Sequence, residues 1–155
     1  MAQEPDFDLQ AAHKYFSAWC FNHAWDLIAK PNRTPAEDEE MLNLGLASLW
    51  HWTQRKDHTL VNLSVGYWQV SRIYALLGQA ENSRKYGRLS LDILQGEEVL
   101  PFYVGYAYEA LARAEAVAGN QAKMEEYLKK ARRVAEILPD PEDKKQLLDD
   151  LATIQ

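Results

Sequence analysis

Residues 67–94, YWQVSRIYALLGQAENSRKYGRLSLDIL, align without a gap on residues 108–135, YEALARAEAVAGNQAKMEEYLKKARRVA. The offset is 41 residues, the separation of Gly78 and Gly119. Tyr67 falls on Tyr108, Arg72 on Arg113, Ala75 on Ala116 and Tyr86 on Tyr127, while the small Ser71 and Ser90 fall on Ala112 and Ala131. Each copy reads as a helix, a tight glycine turn and a second helix, because glycine reaches the left-handed backbone conformation that ends a helix. Such a unit has no way to bury its apolar face alone, so units of this kind stack.

Outward from the repeat, local punctuation divides the rest of the chain. Residues 7–29 form an apolar-rich stretch ending at KPNRTP. Thr34, Pro35 and Glu37 then make a helix start, with threonine as cap, proline in the first turn and glutamate reaching back. That helix runs through EDEEMLNLGLASLWHWTQRK, acids first and bases last, as the macrodipole prefers. A third helix follows DHTLVN and stops at Gly78, a fourth covers about 80–95 and stops at Gly96, and Pro101 opens a fifth that ends before Gly119. Asn120 caps a sixth; Asp140 and Pro141 open a seventh, with Leu147, Leu148, Leu151 and Ile154 on one side. No stretch alternates as a strand, so the fold class is all-α.

The two copies resemble the tetratricopeptide repeat. That family places an aromatic early in the first helix, a small residue four on, glycine at the turn and small residues in the second helix. Here these are Tyr67, Ser71, Gly78, Ser83 and Ser90, then Tyr108, Ala112, Gly119 and Ala131. Met124, Gly87 and Glu115 depart from the pattern, and the spacing exceeds the usual ~34 residues. The middle segment is also similar to tetratricopeptide-like proteins of bacteria, for which the family supplies no activity. The resemblance implies one domain over 1–155, a right-handed superhelix of about three antiparallel helix pairs: 7–58 diverged, 63–96, 101–138, then a capping helix at 141–154. It implies a binding scaffold whose groove is lined by the first helix of each pair.

On the third helix, Leu63, Val70, Tyr74 and Leu77 read as the core face, and Trp68 and Arg72 fall on the other. On the fifth, Tyr106, Glu109 and Arg113 share the second face with Phe102, Ala116 and Val117. Tyr15, Trp19 and Asn22 continue this stripe on the first helix, with Asp26. Arginine forks hold carboxylates or backbone carbonyls and aromatic faces cover apolar side chains, so the set suits a protein or peptide partner. Two alternatives stand beside that reading. Arg72, Glu109 and Arg113 are structural ties between helix pairs, or the aromatic surface binds a second copy of this chain. A closed pocket around Trp68, Arg72 and Glu109 is a third, small-ligand reading. The lysine–asparagine arrangement by which well-known relatives hold a terminal carboxylate is not repeated here. Glu115 falls on the face that reads as core, near the helix end, and reaches solvent or a base such as Arg84 or Arg88.

LWHWTQ (49–54) poses a narrower question. At about 100° per residue, with Leu42 as zero, Trp50 and Trp52 lie about 80° to either side and His51 lies opposite. The indoles read as shoulders of a buried arc, and His51 as solvated.

Composition excludes several classes. The chain has 155 residues, enough for one sizeable core, and a net charge of −6 without a basic run, which argues against nucleic acid and anionic membranes. KKARR (129–133) reads as a solvated helix face diluted by glutamates. The acidic opening MAQEPDFDLQ lacks the apolar core of a secretory signal, and no eighteen apolar residues run together. The one cysteine, Cys20, reads as a buried hydrophobe in a reducing cytoplasm. His13, His23, His51 and His58 show no metal-binding spacing, and no phosphate loop or nucleophile elbow is present, so neither enzyme chemistry, a metal nor a cofactor is expected.

Overall fold

Helix starts in this chain are set by side chains that satisfy the first free N–H groups. The computed structural model describes residues 3–155; the first two residues of the acidic opening lie outside the described residues. Asp8 accepts from the Ala11 amide and opens α1 (Leu9–Ile28). Thr34 and Glu37 form the expected capping box of α2 (Pro35–Gln54), and Thr59 with Asn62 forms another at α3 (Leu60–Leu76). α4 spans Ala80–Asp92 and α5 Pro101–Val117. Asn120 caps α6 (Gln121–Ile137) and Asp140 caps α7 (Pro141–Ala152). Among the described residues there is no strand, so the fold is all-α. α4 stops at Asp92, short of Gln95, because bonds from Leu94 to Leu91 and from Gln95 to Asp92 tighten its last turn before Gly96.

The two repeat turns are closed by the same hydrogen bonds. The Gln79 amide donates to Tyr74 O at 2.9 Å and the Asn120 amide to Glu115 O at 2.9 Å; Gly78 and Gly119 donate to Ala75 O and Ala116 O, each at 3.1 Å. Both glycines have positive φ, 71° and 72°. The tyrosine pairs repeat as well, Tyr67 against Tyr86 at 6.3 Å and Tyr108 against Tyr127 at 6.4 Å.

Sequence neighbours pack in antiparallel fashion. Ser48 donates to Ser17 O between α2 and α1. Between α3 and α4, Ser64 and Ser90 exchange hydroxyl-to-carbonyl bonds at 2.8 and 3.0 Å, and Ser71 and Ser83 do so at 2.7 and 2.9 Å. At the corresponding places of α5 and α6 stand Gly105, Ala131, Ala112 and Met124, and apolar contact does the joining. α3 lies between the first and third pairs, touching α1, α2, α4 and α5. Gln69, fully buried, donates to Phe21 O of α1 at 3.0 Å. α7 lies on α5 and α6, with Leu147 and Leu151 buried; Leu148, read with them, is exposed.

Two buried faces differ from the sequence reading, for one reason. On α2 the buried residues are Met41, Gly45, Ser48 and Leu49, and Trp50 is 55% exposed; Trp52 is half-buried beneath the Arg55 guanidinium at 3.8 Å. On α3 they are Ser64, Gly66, Gln69, Val70, Ser71 and Ile73, while Leu63, Tyr74 and Leu77 are half-buried. Small residues allow helices to approach. A Cβ on Gly45 would meet Ile73 Cδ1 at 2.5 Å, and one on Gly66 would meet Leu49 Cδ1 at 2.9 Å. Weighting the wheel by large apolar side chains therefore points it away from the closest contacts.

Nothing lies within 4 Å of a Cβ built at Gly78 or Gly119, so only backbone strain opposes a side chain there. Gly78→Ala and Gly119→Ala should each cost about 1–2 kcal/mol in urea unfolding, by equal amounts within error. A marked inequality would contradict the equivalence of the two turns.

Candidate functional site

The predicted groove charges meet inside the protein. Glu109 of α5 is fully buried. Its Oε2 accepts from the Trp68 indole N–H at 2.8 Å, and its Oε1 accepts from Arg72 at 3.2 Å and from Arg113 Nε. A carboxylate removed from water needs this many partners, and all of them are charged or indole donors. Arg113 extends the network to α7, donating to Asp150 O at 3.0 Å and to Thr153 Oγ1 at 2.6 Å. Beside it the buried Tyr106 hydroxyl donates to Asp150 Oδ2 at 2.6 Å. Burial first, and the Asp150 carboxylate second, hold the Tyr106 phenol protonated far above its ordinary range. Burial also lowers the Arg72 pKa, with repulsion from Arg113 adding to it.

On α5 this geometry spends the Glu109 carboxylate internally. Glu109 is enclosed between α3, α5 and α7, whereas Tyr106 also lines a cleft of about 90 Å³ and Arg113 lines, with Arg72, Ala75, Leu76, Ala116 and Val117, another of about 160 Å³. With its carboxylate enclosed, Glu109 offers nothing to a partner. Of the two alternatives for these charges, the contacts are those of a structural tie. Glu115 obeys the same logic one turn on. It is buried and held by Arg84 of α4 through bonds of 2.6 and 3.1 Å, which keep its carboxyl below the usual range.

Tyr15 and Trp19 do not join this cluster. Tyr15 packs edge-on against Phe16 at 5.2 Å, Trp19 stacks on His23 at 3.9 Å, and both indole and phenol are largely exposed. Asn22, on the same exposed side, lines the edge of a cleft of about 210 Å³ walled by Ala18, Phe21, Trp52, Val61, Asn62, Val65, Gly66 and Tyr103. A second cleft of about 90 Å³ shares Val65 and Tyr103 and continues beneath Trp68, Phe102 and Tyr106 to Gln146 of α7. No Asp, Glu, Lys or Arg lines either. Sequence reasoning missed Phe21, Val61 and Tyr103, since each is an ordinary apolar residue until three helices are brought together.

His51 is not solvated as expected. Its Nδ1 lies 2.8 Å from Nδ1 of the buried His13 on α1, and its ring stacks on Phe16 at 5.5 Å. One ring donates and the other accepts, so a single proton joins α1 to α2. Burial, then the neighbouring His13, lowers the His51 pKa. The pairing crosses helices at a separation of 38 residues, which no short spacing reveals. Cys20 is buried, as read, and burial raises its thiol pKa. Among the described residues no cluster of three or more His, Cys, Asp or Glu is placed to hold a metal ion, and no helix is long and apolar enough to cross a membrane.

No protein-family model matches the chain, and no curated protein sequence matches it.

Two expectations follow. Glu109→Gln leaves two guanidiniums without their carboxylate and should cost about 3–5 kcal/mol in urea unfolding, well above the loss for Arg72→Met, whose head reaches solvent. Equal losses would contradict the tie. For His51 the sign is set by its lowered native pKa. Above about pH 6.5 His51 is neutral in both states; below it the unfolded chain takes up the proton first, so stability falls. Thermal melts should lose midpoint between about pH 7.5 and pH 5.5, and His51→Gln should flatten that slope. The lowered carboxylates of Asp57 and Glu126, at about 2, titrate far below this window.

Proposed function

We propose that the chain is a non-catalytic interaction module that binds a peptide or protein segment in the uncharged cleft between α1, α3 and α5. The observation that carries this reading is the chemistry of the cleft walls. Phe21, Trp52, Val65 and Tyr103 offer apolar faces, and Asn22 and Asn62 bring side-chain amides that match a peptide backbone. At about 210 Å³ and about 90 Å³ the two clefts are smaller than the roughly 300–1,000 Å³ that encloses a small-molecule ligand. Their size suits successive apolar side chains of one extended segment. Trp68 and Tyr106, from the predicted groove set, form the floor of the second cleft, and Arg72, Glu109 and Arg113 hold that floor in place.

The architecture we assign is tetratricopeptide-like: a single domain built as a right-handed superhelix of three helix pairs, closed by α7. Its support is the identical hydrogen bonding of the two glycine turns, the repeated tyrosine pairs and the antiparallel packing of neighbours. A reducing cytoplasm suits the single buried Cys20.

Selection of a random peptide display library on the immobilised chain tests the cleft. Enriched peptides should carry spaced aromatic or aliphatic residues. Tyr103→Ala should weaken them about tenfold or more, with Ile137→Glu, at an exposed site on α6, close to wild type. Peptides that bind the Tyr103→Ala chain undiminished would overturn the assignment.

A further inference from the structure

The two ends of the helix stack are finished differently. α7 closes one end, burying Leu147 and Leu151 and turning the ion-paired Lys145 and Asp149 outward. At the other end α1 packs on α2 and α3 alone, and its outer side is aromatic. Tyr15 is 60% exposed, Phe16 43% and Trp19 39%, and Trp50 of α2 joins them. The rings form one surface: Tyr15 meets Phe16 at 5.2 Å, Phe16 meets His51 at 5.5 Å and His51 meets Trp50 at 5.0 Å.

We propose that this α1–α2 face is the site at which two copies of the chain dock, through a two-fold contact of the same surface on each. Charge and area both favour a second copy. Residues 15–25 and 41–54 contain no Asp, Glu, Lys or Arg, although the chain carries a net charge of −6. Lys14, Asp26, Glu39 and Glu40 stand at the rim of this face, and an uncharged aromatic centre within a charged margin is the composition of a homodimer interface. Four half-exposed aromatic side chains of about 150–250 Å² each present roughly 400 Å². The aromatic centre supplies about half of the roughly 800 Å² per partner of a stable interface, and the charged rim along the two 20-residue helices supplies the rest. A stack of helix pairs needs both ends covered. The second copy supplies at this end what α7 supplies at the other. The surface adjoins the cleft along α1, but Tyr15, Phe16 and Trp50 line neither cleft, so the dimer is tested at residues that peptide binding does not use.

Sedimentation of the full chain from about 1 to about 200 µM, a range that brackets a micromolar Kd, tests this. Wild type should move towards twice the chain's mass as concentration rises. Trp50→Glu should raise the dissociation constant at least about tenfold, while Ile137→Glu, at an exposed site on α6, should leave it unchanged. Circular dichroism checks folding, and Tyr15→Glu, at a more exposed ring, gives the same readout should Trp50→Glu fail to fold. A wild-type chain that stays monomeric throughout overturns the proposal. So does a dimer that Ile137→Glu breaks and the α1–α2 variants do not.

Discussion

Glu109 is the constraint around which the C-terminal two-thirds of the fold is arranged. A carboxylate with no exposed surface survives only where donors surround it. Here an indole and one guanidinium come from α3 and a second guanidinium from α5 itself, which then reaches α7. The geometry follows from the repeat. Trp68 and Glu109 stand at equivalent positions of the two copies, 41 residues apart, and so do Arg72 and Arg113. When successive copies lie side by side with their first helices parallel, equivalent positions become neighbours. A cluster of two arginines about one carboxylate is then a direct product of stacking.

The helix ends were legible because they are local matters. Thr34 with Glu37, Asn120, Asp140 and the positive-φ glycines act through bonds a few residues long, and each lies where its spacing places it. The Arg84–Glu115 pair was legible in part, since a carboxylate near a helix end on an apolar face reaches either solvent or a base, and here the base is Arg84. The buried faces were less so. Gly45, Ser48, Gly66 and Ser71 mark the closest approaches of helices, and a wheel weighted by size passes over them in favour of Trp50 or Leu63. The site was legible only in part. Trp68, Arg72, Tyr106, Glu109 and Arg113 do converge, but which way they face depended on where α7 lies. Tyr15, Trp19 and Asn22 do share one exposed stripe of α1, and of the three only Asn22 lines the cleft.

The proposed binding cleft and the proposed dimer face lie side by side on α1 and draw on different supporting contacts. The tie at Glu109 spends its polar groups internally and supports the floor of the cleft through Trp68 and Tyr106. The cleft itself is apolar with amide rims. The outer aromatic face rests on the His13–His51 bond and on Ser17, which accepts from Ser48 and from Arg55. Each surface has its own supporting contacts, so changes at one need not propagate to the other.

The central claim is that α7 belongs to the same cooperative unit as α3 and α5, joined through Glu109 and Arg113. Native-state hydrogen exchange across a series of low urea concentrations tests this directly. The account predicts that slow amides of α3, α5 and α7 converge on one opening free energy with one urea dependence. Exchange of the Leu147–Ala152 amides through a separate, smaller opening, with α3 and α5 still protected, would contradict it.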